Sequence, residues 1–284
     1  MDIFILATKF PLDEEGQEKN FTFKLLTIVL KQELIKYLDK YLKNAEFQDV
    51  SKNGLQVDTP KIEIKKIGYA VDATDYIFDI AIKENVDIII VHHGMFWGNE
   101  QVLVGNFYNK VKNLIKNDIG LYGCHLPLDA HTDIGNNIGI VNGIIETFGL
   151  KDYKIEEFGE YHGNTIGYGI NFKNQIPIGN FVTKICKSLG FEDNFYNFGD
   201  KKTISSVAII SGGGGDDIGE AKIKNYDLYI TGDSAHFQIC IAKELGQSIL
   251  LGGHYETETI GVKLLAKHLK EKFGIEIIFL DEKY

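Results

Sequence analysis

The run Ile88-Ile-Ile-Val ends abruptly in His92, His93 and Gly94, and the change from aliphatic to imidazole asks for a chemical reason. An apolar tetrad wants burial on both faces, as a central parallel strand provides. Imidazoles at its end stand where open α/β sheets present ligands, on loops outside the strand carboxyl ends. Two further strand-like runs finish the same way, with His125 after "GLYGC" and His254 after "ILLGG". Each of these histidines has a carboxylate four residues on, Asp129 and Glu258. That spacing brings ring and acid to one face if the turn is helical. Adjacent His92 and His93 are expected to diverge, so that each suits one of two ions rather than both sharing one. A pair of divalent cations bridged by Asp129 or Glu258 uses that divergence, and imidazole with carboxylate suits zinc, manganese or iron. Gly94 then spares a Cβ where backbone passes the ions. Any one of these histidines alone is more often packing or surface than ligand; the constellation carries the reading. Candidate metal ligands are His92, His93, Asp129, His254 and Glu258, and His125 is the candidate for proton transfer, with polar packing as its plain alternative.

The elements that must position them alternate. The pattern predicts a helix over 27–42, a short strand at "NGLQVD", strand 67–71, helix 74–85, strand 87–91, helix 104–117, strand 119–123 and a helix from about 129, which is an α/β layered fold. The segment 207–233 lies over 67–93 without a gap in its strand, turn, helix, Asp, strand pattern. Four positions are identical, Ala81/Ala221, Asn85/Asn225, Asp87/Asp227 and Ile90/Ile230, so the hydrophobic pattern does most of the work. The expected architecture is two similar layered α/β halves related by internal duplication, residues 29–150 and 151–284, with the metal cleft between them and an N-terminal extension over 1–28.

Smaller signals resolve to plainer readings. Gly212 to Gly215 follow a strand as a phosphate-cradling loop would, but Asp216 and Asp217 repel phosphate, and tight-turn packing is favoured. Asp233 either orients a ligand or caps a helix. Trp97 either stacks a planar group or packs, and Cys124 reads as strand-end burial rather than as a nucleophile. His131, His162, His236 and His268 have no partner pattern.

Composition bounds the rest. The 284 residues carry a net charge of −10, and all 30 basic residues are lysine, so bidentate arginine clamps on phosphate or guanine are absent and general duplex-DNA binding is not expected. Three scattered cysteines form neither a disulfide framework nor a thiolate zinc site. No apolar run approaches the roughly 20 residues of a membrane span, and "MDIFILATKFPL" lacks the features of a secretory signal. A cytoplasmic protein without membrane attachment is the expectation.

The ordered motifs "NGLQV" (53–57), "VHHGMFWG" (91–98), "HLPLDAHTDIGNN" (125–137), "SGGGGDDIGEA" (211–221), "DLYITGD" (227–233) and "GGHYETE" (252–258) resemble those of the Nif-three-like dinuclear-metal proteins, many of which bear the name GTP cyclohydrolase I type 2 homolog. The likeness spans about residues 29 to 284. It implies that the two-metal ligands fall on His92, His93, Asp129, His254 and Glu258, and that the chain forms a ring-shaped homohexamer. The family's Gly-Arg-hydrophobic-Gly element has no arginine here, where the chain reads "GNTIGYGI". The implied function is a metal-dependent hydrolase in which two ions lower the pKa of a water toward about 7, acting on a nucleotide such as GTP at guanine C8, or on a phosphoester. The alternative is a non-catalytic metal-binding ring or metal carrier that works through protein partners.

Overall fold

The computed structural model describes residues 28–282, so the extension assigned to residues 1–28 lies, apart from Ile28, outside the described residues. The first part of the chain contains β1 (Val29–Leu30), α1 (Lys31–Tyr41), β2 (Gly54–Val57), β3 (Glu63–Ile64), β4 (Lys66–Asp72), α2 (Asp75–Lys83), β5 (Ile88–His93), α3 (Gly105–Lys116), β6 (Gly120–Gly123), α4 (Leu126–Asp129) and α5 (Asn136–Phe148). The second contains β7 (Tyr153–Tyr161), β8 (Asn164–Pro177), α6 (Ile178–Leu189), β9 (Asn194–Tyr196), β10 (Thr203–Ile210), α7 (Ile218–Ile223), β11 (Leu228–Thr231), α8 (His236–Leu245), β12 (Ser248–Leu251), α9 (His254–Phe273) and β13 (Glu276–Phe279). Two expected helix starts shift. Val29 and Leu30 pair with β3, so α1 begins at Lys31 rather than Thr27. The helix expected from about 129 becomes the short α4 and, after a break, α5; the His131 ring accepts the amides of Asp133 and Ile134 and holds the intervening turn. Among the described residues no helix is long and apolar enough to cross a membrane.

One sheet runs β13-β4-β5-β6-β2 and the other β7-β8-β10-β11-β12-β9. In the first, β4, β5 and β6 are parallel and β2 is antiparallel to β6. In the second, β10, β11 and β12 are parallel and β9 is antiparallel to β12. These four strands have the same order and direction in both sheets; beyond them β13 is parallel to β4, whereas β8 is antiparallel to β10. Each of the four identical residue pairs has a physical reason. Ala81 and Ala221 are fully buried on α2 and α7, as are Ile90 and Ile230 in β5 and β11. Asn85 and Asn225 follow those helices with φ of 54° and 60°, a left-handed conformation that asparagine tolerates better than most residues. Asp87 accepts the amides of Lys65 and Lys66 and pairs with Lys61 at 2.7 Å, while Asp227 accepts the Ser205 amide and pairs with Lys201 at 2.7 Å. Each aspartate ties the entry of one central strand to the start of its neighbour.

The two halves do not bury separate cores. Ile138, Ile140, Val141 and Ile144 of α5 pack in one core with Val207, Ile209, Leu228, Ile230 and Leu250 of the second sheet. Val262, Leu265 and Leu269 of α9 pack in another with Leu34 and Leu38 of α1 and with Ile67, Ile88 and Ile90 of the first. The second sheet is thus covered by α5, which follows β6 and α4, and the first by α9, which follows β12, while β13 joins the first sheet in parallel beside β4. Burial of such a side chain is worth about 2 kcal/mol, so the exchange binds the two layers firmly.

Asn136 sits in this exchange, fully buried. Its amide donates to Asp129 Oδ1 at 2.9 Å and its carbonyl accepts the Gly261 amide of α9 at 2.7 Å. Asn136→Ala strips partners from a buried carboxylate and a buried amide together, and chemical denaturation should show a loss of about 2–3 kcal/mol.

Candidate metal centre

The carboxyl ends of β4, β5, β6, β11 and β12 converge, and four imidazoles meet there. His92 is fully buried, and its Nδ1 lies 2.9 Å from the Cys124 carbonyl just past β6. His93 Nδ1 lies 2.8 Å from Asp72 at the end of β4. His125 Nδ1 meets Asp49 at 3.0 Å, and His254 Nδ1 meets Asp233 at 2.8 Å. Every one of these partners is an oxygen acceptor, which fixes the proton on Nδ1 and leaves Nε2 to face inward as a ligand atom.

Two carboxylates complete the cluster. His254 opens α9, so Glu258 lies one turn along it, and Oε1 is 3.2 Å from His254 Nε2 and 3.4 Å from His92 Nε2. Its other oxygen is 3.3 Å from His93 Nε2. Asp129 splits its duties: Oδ1 accepts from Asn136 and from Ser211 Oγ at 3.0 Å, while Oδ2 faces His92 Nε2 at 3.5 Å. Three sets of ligand atoms lie within 4.8 Å of one another, His92/Asp129/Glu258, His93/His254/Glu258 and His92/His93/His125. The first two contain the five residues expected as ligands, and they share Glu258, which makes it, rather than Asp129, the geometric bridge. His125 belongs only to the all-imidazole set. His92 and His93 diverge less than expected, with ring centres 4.7 Å apart, and they fall together in that third set.

Electrostatics agrees with a cation site. Burial alone would depress the His92 pKa, but Asp129 and Glu258 outweigh it and push it up to about 10. The hydrogen bond to Glu258 likewise prevails over burial at His254, raising it to about 9. Burial would raise the Glu258 carboxyl, yet His92, His254 and His93 hold it below the usual carboxylate range. Protons therefore stand in for cations among these acids, and a metal ion entering the cluster would displace them. Among the described residues, His92 Nε2 and Glu258 Oε2 are buried side-chain atoms without a hydrogen-bond partner. Buried polar atoms of this kind require an explanation, and a divalent ion beside each would supply one.

Several surroundings have no local signature. Asp49 lies outside every quoted motif, yet it accepts from His125, from the amides of Ser51 and Leu126, and from Asn53. These partners overcome burial and hold its pKa at about 2. Asp72 ends a strand as His93 does, which is the signal that could have found it. Asp233 orients His254; α8 is capped at Ala235 instead. The expectation for Gly94 is corrected: a Cβ there would lie 2.1 Å from the Gln56 amide, which wedges beneath the turn and accepts the Met95 amide. Gly212 is the glycine that faces the ligands, since a Cβ on it would lie 2.2 Å from Glu258 Oε1. The amides of Gly212 and Gly214 are spent on Thr257 and Thr231, in keeping with turn packing. Cys124 is buried, its thiol directed at the Val91 carbonyl and its pKa pushed up by burial, which disfavours a nucleophile. A separate cleft of about 600 Å³, lined by residues including Tyr41, Phe47, Pro127 and His131, includes none of the six site residues.

Fold and site together define a class: α/β proteins with two like-ordered sheets whose strand ends enclose a candidate His/carboxylate metal site. The chain belongs to the Duf34/NIF3 (NGG1p interacting factor 3) family, which it matches over residues 29–284. It is 40% identical to the GTP cyclohydrolase 1 type 2 homolog of Pyrococcus horikoshii over 256 residues, covering 88% of this chain and 97% of that protein. Among solved structures, TTHA1606 from Thermus thermophilus superposes with a TM-score of 0.78 at 34% identity, covering 90% of this chain and 99% of the other. The protein ybgI, described as of unknown function, does so with a TM-score of 0.80 at 30% identity over 90% and 99%.

Proposed function

We propose that the protein is a metal-dependent hydrolase holding two divalent ions, zinc, manganese or iron, one by His92, Asp129 and Glu258 and the other by His93, His254 and Glu258. The observation that carries this reading is the orientation of the imidazoles: each Nδ1 is anchored to an oxygen, so each Nε2 converges on the same space as Glu258. Ions held this way supply Lewis acidity and make water acidic near neutral pH. The chain's own residues do the rest. Glu258 holds the two sites at a fixed separation. Asp72 and Asp233 keep His93 and His254 in the ligating tautomer, and Asn136 with Ser211 fixes the rotamer of Asp129. His125, outside both carboxylate-containing sets but beside them, is assigned proton transfer, with Asp49 holding its ring in place through Nδ1. The names of the relatives make nucleotides the first substrate class to examine, with phosphoesters second. Self-association into a homohexamer belongs to the same reading, and light scattering tests it.

Protein purified without chelator should carry two ions per chain by elemental analysis, and the metal-reconstituted protein should hydrolyse a member of a nucleotide and phosphoester panel. Stoichiometric metal in a His92→Ala, His93→Ala, Glu258→Ala triple variant would sink the ligand assignment. Full metal loading without turnover on any panel member favours the non-catalytic metal carrier.

A further inference from the structure

His125 is equipped as a metal ligand although neither carboxylate-containing set includes it. Its Nδ1 meets Asp49 at 3.0 Å, just as the Nδ1 atoms of His93 and His254 meet Asp72 and Asp233 at 2.8 Å. A carboxylate on the outer nitrogen is a usual companion of a metal-bound histidine. Ligand atoms of His92, His93 and His125 lie within 4.8 Å of one another, with ring centres 4.7, 5.1 and 5.7 Å apart. The three Nδ1 atoms are engaged by the Cys124 carbonyl, Asp72 and Asp49, so Nε2 is the atom each ring offers.

The make-up of this set decides what it holds and what it prevents. No carboxylate belongs to it, and three neutral imidazoles suit copper, whereas sets that contain carboxylates also accept harder ions such as manganese. Each Nε2 has one lone pair to give. An ion that takes His92 and His93 here therefore leaves the other two sets with only Asp129 and Glu258, and only His254 and Glu258.

We propose that His92, His93 and His125 form a one-ion copper(II) site whose occupation excludes the two-ion state. This rests on the two-ion reading above and adds to it a competing occupancy, which also withdraws His125 from proton transfer. Copper binds more tightly than zinc at most nitrogen and oxygen sites, so the test is which residues its binding depends on. Trp97 is the single tryptophan of the chain, its ring centre 5.0 Å from that of His125 and 5.9 Å from that of His93, so quenching of its fluorescence by copper(II) reports on this cluster. Exposed Cys240 has its Sγ 3.7 Å from His236 Nε2, a second place for copper, and full-length Cys240→Ser protein is therefore the parent in every measurement. The parent should take up two zinc ions per chain, yet its quenching should end at one copper(II), with an electron paramagnetic resonance spectrum of three coordinated imidazole nitrogens. His125→Ala should weaken copper(II) binding by about tenfold or more and keep both zinc ions, whereas His254→Ala should lose one zinc ion and hold copper(II) within about threefold of the parent. Copper-loaded parent should take up less than one zinc ion. A quenching end point at two copper ions, fewer than three coupled nitrogens, or copper binding that depends on His254 rather than His125 overturns the proposal while leaving the two-ion reading intact. Fewer than two zinc ions on the reconstituted parent overturns the two-ion reading and the exclusion with it, and elemental analysis of the same sample separates that result from the others.

Discussion

Glu258→Gln should cost the protein both ions, leaving about a tenth or less of the wild-type metal content after dialysis. Glu258 is the one residue shared by the two carboxylate-containing sets, with an oxygen within 3.4 Å of His92, His93 and His254. Glutamine keeps the shape but removes the negative charge between two cations, and its NH₂ cannot ligate, so their mutual repulsion goes uncompensated. A loss of at least about 100-fold in affinity is expected, since altering even an outer partner of a metal ligand costs roughly 10–100-fold. The fold should survive, because the new amide can donate to an imidazole nitrogen and the cores of both layers lie elsewhere. Glu256→Gln is the control: it lies on the same helix but in none of the three sets, and it should keep its metal. Elemental analysis and thermal melting read both variants. Two ions retained by Glu258→Gln would remove the bridge from the mechanism.

Asp129→Asn should lose one ion and most turnover, with melting close to wild type. Asp129 belongs to one carboxylate-containing set only, so the ion held by His93, His254 and Glu258 keeps its ligands. Asparagine can place its carbonyl where Oδ1 accepts from Asn136 and Ser211, preserving both buried hydrogen bonds. Its NH₂ then faces His92 Nε2, where Oδ2 stood at 3.5 Å. Half the metal and about 100-fold less hydrolysis are therefore expected at nearly unchanged stability, since removal of one fixed electrostatic partner at a reacting centre typically costs roughly 10²–10³. A variant that keeps full activity with half its metal would show that the His92 ion is not needed for chemistry; one that unfolds would make the site structural.

Much of this centre was legible because it is local. A histidine opening a helix and a glutamate four residues later share a face, so His254 and Glu258 could be paired from spacing alone. The same spacing in His125 and Asp129 gave a different geometry. His125 precedes α4 with φ −91° and ψ −108°, outside the helical region, so its ring turns to Asp49 and Asp129 turns to His92. Spacing could name the residues there but not their partners.

By itself the sequence determined the alternation of strand and helix, the strand ends on which the histidines stand, and the repeated Asn and Asp at the entries to β5 and β11. All of these follow from periodicity and from backbone preferences that act within a few residues. Only the tertiary structure decided that α5 and α9 exchange sheets, that Glu258 rather than Asp129 is common to the two carboxylate-containing sets, and that Asp49, Asp72 and Asp233 hold the Nδ1 atoms of the rings. The physical reason is distance along the chain. Asp49 and His125 are 76 residues apart and Ser211 and Asp129 are 82, so their contacts exist only once two sheets and two crossing helices have packed.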